Sequence, residues 1–329
     1  MRLVAIYFAA LLGCTTACAE EWRVDRIDVP ARVEAVETVD GVVRVKAGGL
    51  WYALKRNDGT VTLNYIDPPA PPKPPAGALP DGEVATGQHD IARAWFAEPT
   101  DRYEHGTLDR KTAAGALVIE TRDGRQQTVR LKGDAVFEDL RPRIADLNSD
   151  GHDAVVAVKS YLKRGSALAV VGERKGRYEV IAETPPLGAA GRWLDPVGIG
   201  DFTGDHKIDV ALVRQPHDVG VLEVWSWRDN ELKKIAELSD TANHIAGSHA
   251  LDMAAVADFN GDNVDDIAIP SLDRSRLRIV SFAPNARELA NVALPAKAAT
   301  NLGLIKGVME PAVAVGLDDG SLAVVQRRQ

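Results

Sequence analysis

Three segments of this chain place oxygen-bearing side chains at the alternate positions that a hard cation uses. In residues 258–266 they are Asp258, Asn260, Asp262 and Asp266, at positions 1, 3, 5 and 9. In residues 201–209 they are Asp201, Thr203, Asp205 and Asp209. In residues 146–154 they are Asp146, Asn148 and Asp150; position 9 is Ala154, so Asp153 would have to stand in. Calcium takes six to eight oxygens at about 2.3–2.6 Å. A tightly curled loop aims alternate side chains at one centre. Carboxylates at positions 1, 5 and 9 would neutralise the ion, with a neutral oxygen at 3 and the backbone carbonyl of Val264, Lys207 or His152 at 7. Positions 4 and 6 need residues that tolerate the left-handed region, which suits Gly261, Asn263, Gly204, Ser149 and Gly151. His206 is awkward at position 6, and Thr203 is a weak ligand. An EF-hand would need helical flanks and a glutamate at position 12, where Ala157, Leu212 and Ile269 stand instead. Calcium is therefore expected at 258–266 and 201–209. At 146–154 the choice between a cation and a metal-free polar turn stays open, and the same metal-free alternative applies to all three loops.

A second group of chemically capable residues is Asp101-Arg102-Tyr103-Glu104-His105-Gly106, in a polar insertion at 98–114. Arg102, Tyr103 and His105 are the candidate ligand site; the alternative is a structural loop covering one end of the fold. Seven histidines occur without an H-E-x-x-H, and no nucleophile elbow or phosphate-cradling glycine loop is present. His244 and His249 read as polar loop residues, with a ligand role as the rival. Trp225 and Trp227 share one strand face and serve either packing between sheets or stacking on a sugar ring.

The elements that position these residues are strands. The first aspartates of the loops lie 55 (201 − 146) and 57 (258 − 201) residues apart, a period that marks a repeat architecture. Each loop is entered and left by a short apolar run, and two further alternating runs complete each unit. The loops resemble those of FG-GAP/VCBS repeats of integrin-α-like β-propellers, which read roughly Asp-x-Asn-x-Asp-Gly-x-x-Asp between two strands. Asp-Phe-Asn-Gly-Asp at 258–262, Asp-Phe-Thr-Gly-Asp at 201–205 and Asp-Leu-Asn-Ser-Asp-Gly at 146–151 carry the resemblance, which covers residues 142–295. It implies a calcium-binding propeller and says little about partner or activity, since that family is functionally mixed.

Strand-like alternation extends beyond the repeats. Hairpin signals at Asp40-Gly41, Asn57-Asp58-Gly59 and Asp123-Gly124 organise the N-terminal half. The C-terminal part yields only three strands, whereas residues 22–29 alternate with no unit of their own. The expectation is an all-β propeller of four-stranded blades, six favoured and five or seven as alternatives, with the last blade closed by the N-terminal strand. Residues 20–329 would form that single domain, with a Pro-rich surface linker at 67–87.

Residues 1–19 read as a secretory signal peptide: Arg2, an apolar core, then Ala17-Cys18-Ala19 as the cleavage site. The rival is a lipoprotein signal acylating Cys14. Both cysteines lie within this segment, so the exported protein would hold no disulfide. The net charge of −8 becomes −9 once Arg2 is removed, which disfavours nucleic acid and anionic membrane as partners. No second apolar stretch is long enough to span a bilayer. The reading is an exported, monomeric, calcium-binding propeller, periplasmic or extracellular, that binds a protein or glycan without catalysis. The alternatives are a polysaccharide lyase or hydrolase working at one propeller face, and a calcium-free scaffold.

Overall fold

The computed structural model describes residues 21–70, 73–109, 111–228, 231–307 and 310–328. The expected signal peptide at 1–19, Cys14 included, lies outside these residues. Within them every element is a strand, and no helix is long and apolar enough to cross a membrane. In chain order the strands are β1 (Trp22–Ile27), β2 (Val33–Val39), β3 (Val42–Ala47), β4 (Leu50–Asn57), β5 (Thr60–Ile66), β6 (Ala85–Thr86), β7 (Ile91–Thr100), β8 (Ala113–Thr121), β9 (Gln126–Arg130), β10 (Ala135–Phe137), β11 (Arg143–Ala145), β12 (Ala154–Tyr161) and β13 (Gly165–Arg174). They continue with β14 (Arg177–Glu183), β15 (Leu194–Gly200), β16 (Asp209–Arg214), β17 (Val221–Arg228), β18 (Glu231–Ser239), β19 (Ala255–Ala257), β20 (Asp266–Pro270), β21 (Arg276–Ser281), β22 (Arg287–Ala293), β23 (Ala298–Ile305), β24 (Ala312–Leu317) and β25 (Leu322–Arg327).

Each pairing is antiparallel. β2–β5, β15–β18 and β19–β22 form four-stranded sheets of consecutive strands, and a fourth sheet runs β23-β24-β25-β1. The N-terminal strand therefore closes the last sheet, with Trp22 opposite Arg327 and Ile27 opposite Leu322. That placement removes a free edge that would otherwise template association. The middle of the chain departs from the expectation of two separate blades. β6–β9 and β11–β14 are each four-stranded, but β10 pairs with both β8 and β12 and welds them into one nine-stranded sheet. The insertion is also shorter at both ends than the sequence implied, because β7 runs to Thr100 and β8 starts at Ala113.

Apolar cores join neighbouring sheets in chain order. Val156, Leu168, Leu212 and Trp227 fill the space between β11–β14 and β15–β18. Phe202, Val224, Ile269 and Phe282 do so between β15–β18 and β19–β22. Trp22, Phe259, Ile279 and Val315 join β19–β22 to the closing sheet, and Val36, Val45, Ala314 and Val324 join the closing sheet to β2–β5. Central strands such as β16, buried over five of six positions, are apolar on both faces because a core lies on each side. Sheets stacked face to face in chain order from β11–β14 to the closing sheet, and from the closing sheet back to β2–β5, show the packing of a β-propeller.

Candidate functional site

The three Asp loops join the first and second strands of their sheets, so they lie on one face of the propeller. Their backbones repeat one design. Positions 4 and 6 have positive φ in every copy: Ser149 (57°) and Gly151 (86°), Gly204 (74°) and His206 (61°), Gly261 (81°) and Asn263 (64°). The first aspartate organises each curl by accepting backbone N–H groups. Asp258 Oδ1 receives Asn260, Gly261 and Asp262, and its Oδ2 receives Asn263 at 2.8 Å. Asp201 takes Thr203, Gly204 and His206, and Asp146 takes Asp150 and Gly151.

The loops differ at position 9. Asp266 is fully buried; its Oδ2 accepts Phe259 N–H at 2.9 Å, while Oδ1 makes no hydrogen bond of ordinary geometry. Burial pushes its carboxyl up to about 6 against the hydrogen bonds from Phe259 N–H and the Ser281 side chain, and Asp262 and Asp258 add to the rise. Asn260 Nδ2 donates to Asp262 Oδ2 at 3.0 Å, and Val264 N–H donates to Asp262 Oδ1. In the second loop Asp209 is equally buried, but its Oδ1 accepts from Ser226 Oγ at 2.7 Å, and Thr203 Oγ1 reaches Oδ2 at 3.3 Å. Arg228 Nη2 lies 2.7 Å from Asp205 and 3.6 Å from Asp209. This loop carries a cation of its own, which the sequence pattern did not reveal. Lys207 donates its backbone N–H to Asp205. In the first loop Asp150 accepts from Asn148 Nδ2 and His152 N–H. Asp153 turns away and receives His89 N–H at 2.9 Å and Ile91 N–H at 3.3 Å, clasping the turn before β7.

Among the described residues, no three His, Cys, Asp or Glu side chains are gathered tightly enough to hold a metal as they stand. The donor set at 258–266 nevertheless fits a hard cation. It offers oxygens only, and one of them is buried with no hydrogen bond of ordinary geometry.

The opposite face gathers the insertion residues. His105 Nδ1 stands 2.7 Å from Glu138 Oε1. Glu138 is buried and also accepts from Ser160 Oγ at 2.5 Å; Ser160 in turn meets Ser166 at 2.7 Å. The hydrogen bond with Glu138 raises the His105 pKa against the opposing effect of burial. Burial, reinforced by the Glu138 charge, pushes the Tyr103 phenol up, and its ring lies 5.9 Å from that of His105. Arg102 instead anchors the insertion by donating twice to Ala135 O, at 2.7 and 3.3 Å.

Glu138 escaped the sequence reading because it follows β10, a three-residue strand too short to show a period. The pairing of His217 with His244 was equally hidden. His217 Nε2 lies 2.8 Å from His244 Nδ1, and His244 Nε2 lies 3.0 Å from Ser248 O. Burial holds both imidazoles at about 4. His244 is thus a buried, hydrogen-bonded loop residue, whereas His249 stays near the surface, 3.9 Å from Asp81. Trp193 anchors the group, donating from Nε1 to Glu138 O at 3.2 Å and lying nearly parallel to His217. A cavity of about 290 Å³ opens between His105, Trp193 and His217. Trp227 is buried between sheets, and Trp225 Nε1 donates to Glu223 at 3.0 Å.

The fold and these two faces define the class: an all-β propeller with Asp-rich loops on one side and a histidine-lined cavity on the other. No family model matches the sequence, and no curated protein matches it. The FG-GAP/VCBS resemblance therefore rests on the loops themselves. Among solved structures the chain is similar to rhamnogalacturonan lyase YesW, at 13% identity and TM-score 0.46 over 91% of this chain and 67% of that one. It is also similar to BBS1N in complex with ARL6DN, at 12% identity and TM-score 0.39 over 92% of this chain and 80% of that one. No activity or partner carries over from either.

Proposed function

We propose that the protein is an exported, calcium-stapled propeller that serves as a non-catalytic binding scaffold for a protein or glycan. The observation that carries the calcium reading is the buried Asp266 beside Asp258, Asn260 and Asp262, whose Oδ1 makes no hydrogen bond of ordinary geometry and has the Ser281 hydroxyl as its neighbour. A poorly paired buried acceptor is costly, and a cation satisfies it. Asp258, Asp262 and Asp266 would hold the ion with Asn260 and the Val264 carbonyl. The bound ion would neutralise three carboxylates and tie the start of β20 to its loop. At 201–209 Arg228 lies 2.7 Å from Asp205 and 3.6 Å from Asp209, whereas at 258–266 Arg287 stands 3.6 Å from Asp262, so the third loop is the less compensated and the principal site.

The test is thermal unfolding of residues 20–329 after chelation, with Ca²⁺ added back and Mg²⁺ as control. At about 100 times its Kd, calcium stabilises by roughly 2.7 kcal/mol per independent site. A Ca²⁺-selective rise in Tm that is lost in Asp258→Ala/Asp262→Ala is expected. No rise, with no metal in the purified protein, overturns the calcium reading. Export is tested by N-terminal sequencing of the mature protein: Glu20 supports cleavage after Ala19, and acylated Cys14 supports the lipoprotein alternative.

A further inference from the structure

We propose that Asn260 is a self-modification site: in the folded 258–266 loop its side chain closes onto the backbone nitrogen of Gly261, releases ammonia, and reopens with water as aspartate or isoaspartate. The inference stands on the loop's own atoms and does not depend on whether calcium binds there.

Asn260-Gly261 is the one Asn-Gly step in the sequence. Ring closure needs the asparagine Cγ beside the next backbone nitrogen. A side chain on the following residue obstructs that approach, and glycine has none. Gly261 is also exposed, at φ +81°, so water reaches the reacting atoms.

The hydrogen bonds of the loop arrange the step. Asn260 Oδ1 accepts Asp262 N–H at 2.9 Å, an Asx-turn that curls the side chain back over the Gly261 peptide. A side chain held in that way is already oriented for an intramolecular attack. Gly261 N–H points to Asp258 Oδ1 at 2.6 Å, which gives the departing proton an acceptor. Asp262 N–H donates to the oxygen on which negative charge develops. The leaving nitrogen, Nδ2, donates to Asp262 Oδ2 at 3.0 Å.

The bond between Gly261 N and Asn260 Cγ forms, and the bond from Cγ to Nδ2 breaks. The hydrogen lost from Gly261 N leaves with the amide as ammonia, and a cyclic imide remains. Water then opens the imide at either carbonyl. Addition at Cγ restores the normal backbone with aspartate at 260. Addition at the backbone carbonyl leaves Gly261 joined through Cγ, as isoaspartate. Nothing is oxidised or reduced. The aspartate product adds a fourth carboxylate beside Asp258, Asp262 and Asp266; the isoaspartate product lengthens the backbone by one carbon and distorts the loop.

The first loop supplies a control within the same molecule. Asn148 holds the same position, and its Nδ2 donates to Asp150 Oδ2 at 2.7 Å. It is followed by Ser149, and Asp150 N–H donates to Asp146 Oδ1 at 3.1 Å.

The experiment follows each asparagine by peptide mass spectrometry while folded residues 20–329 stand in mildly alkaline buffer with chelator. The readouts are the mass change of amide to acid and fragment ions that distinguish isoaspartate. A parallel sample in urea reports the unfolded chain. Asn260 should convert in the folded protein at least about tenfold faster than Asn148, giving both products. Gly261→Ser should slow Asn260 to the rate of Asn148. Serine already holds this position at Ser149 with φ 57°, and a Cβ on Gly261 would meet nothing within 4 Å, so the variant should fold, which circular dichroism checks. Conversion in urea but not in the folded protein overturns the inference. So do equal rates at Asn260 and Asn148, or a rate at Asn260 that Gly261→Ser leaves unchanged.

Discussion

Asp195→Asn should hold or raise stability at neutral pH, although it removes a fully buried carboxylate from beside an arginine. The reason lies in how the charges are shared. Arg143 Nη1 bonds Asp139 Oδ2 at 2.6 Å, whereas its Nη2 lies 3.9 Å from Asp195 Oδ1 and has no hydrogen-bond partner. Asn243 Nδ2 donates to Asp195 Oδ2 at 2.9 Å, and both Asp195 Oδ1 and Asn243 Oδ1 are buried and unpartnered. Arg143 Nη2 stands too far from Asp195 Oδ1 to satisfy it, so the buried carboxylate is left only partly compensated. Burial raises its pKa well above the ordinary value, Asp139 and Asp252 raise it further, and Arg143 and Arg141 oppose them. Asparagine has the same shape and its amide supplies the donor permanently. The substitution should therefore cost less than about 1 kcal/mol, whereas leaving a buried polar partner unpaired, as in Asn243→Ala, costs about 1–3 kcal/mol. The linkage sign follows from the raised pKa. The wild type gains stability as pH falls through its folded pKa, and the gain is complete below the unfolded value near 3.9. Asp195→Asn should lack that acid-side gain. Urea unfolding of both proteins from pH 4 to pH 9 measures it. A loss of about 3–5 kcal/mol at neutral pH, the cost of breaking a buried ion pair, would refute the reading that burial outweighs the Arg143 charge at Asp195.

Two further substitutions test the architecture. Arg228→Met should destabilise the calcium-free protein by about 1–3 kcal/mol, because buried Asp209 loses its cation, and added Ca²⁺ should recover the loss by entering 201–209; calorimetry with and without Ca²⁺ reads both effects. Trp22→Ala, at a residue only 3% exposed on the closing strand, should cost about 3–5 kcal/mol and expose the β25 edge to association, visible in unfolding curves and light scattering.

What was legible in the chain was local. Period-2 alternation placed the strands, Asp-Gly and Asn-Asp-Gly dipeptides and tripeptides placed the hairpins, and the Asp loops appeared at their true junctions. Each is specified within a few residues, because a strand needs only its own side chains to alternate and a turn only its own φ. Even the closing strand could be deduced, because a three-stranded last unit and an orphan first strand leave unpaired backbone that must be satisfied. Charge and spacing could also say which loops had the oxygens for calcium. They could not say how closely each loop is already held by a counter-ion, Arg228 at 2.7 Å from Asp205 and Arg287 at 3.6 Å from Asp262. Arg228 reaches Asp205 from the far end of β17, 23 residues on, and Asp153 is drawn out of its loop to cap a turn in the neighbouring unit. Likewise β10 is too short to show a pattern, and it exists because β8 and β12 both offer it an edge. His105, Glu138, His217 and His244 come from four separate connections, and nothing in their spacing joins them. Secondary structure follows the nearest neighbours in sequence. The cavity and the charges around it depend on which sheets the propeller brings side by side, and that is decided only when the ring packs.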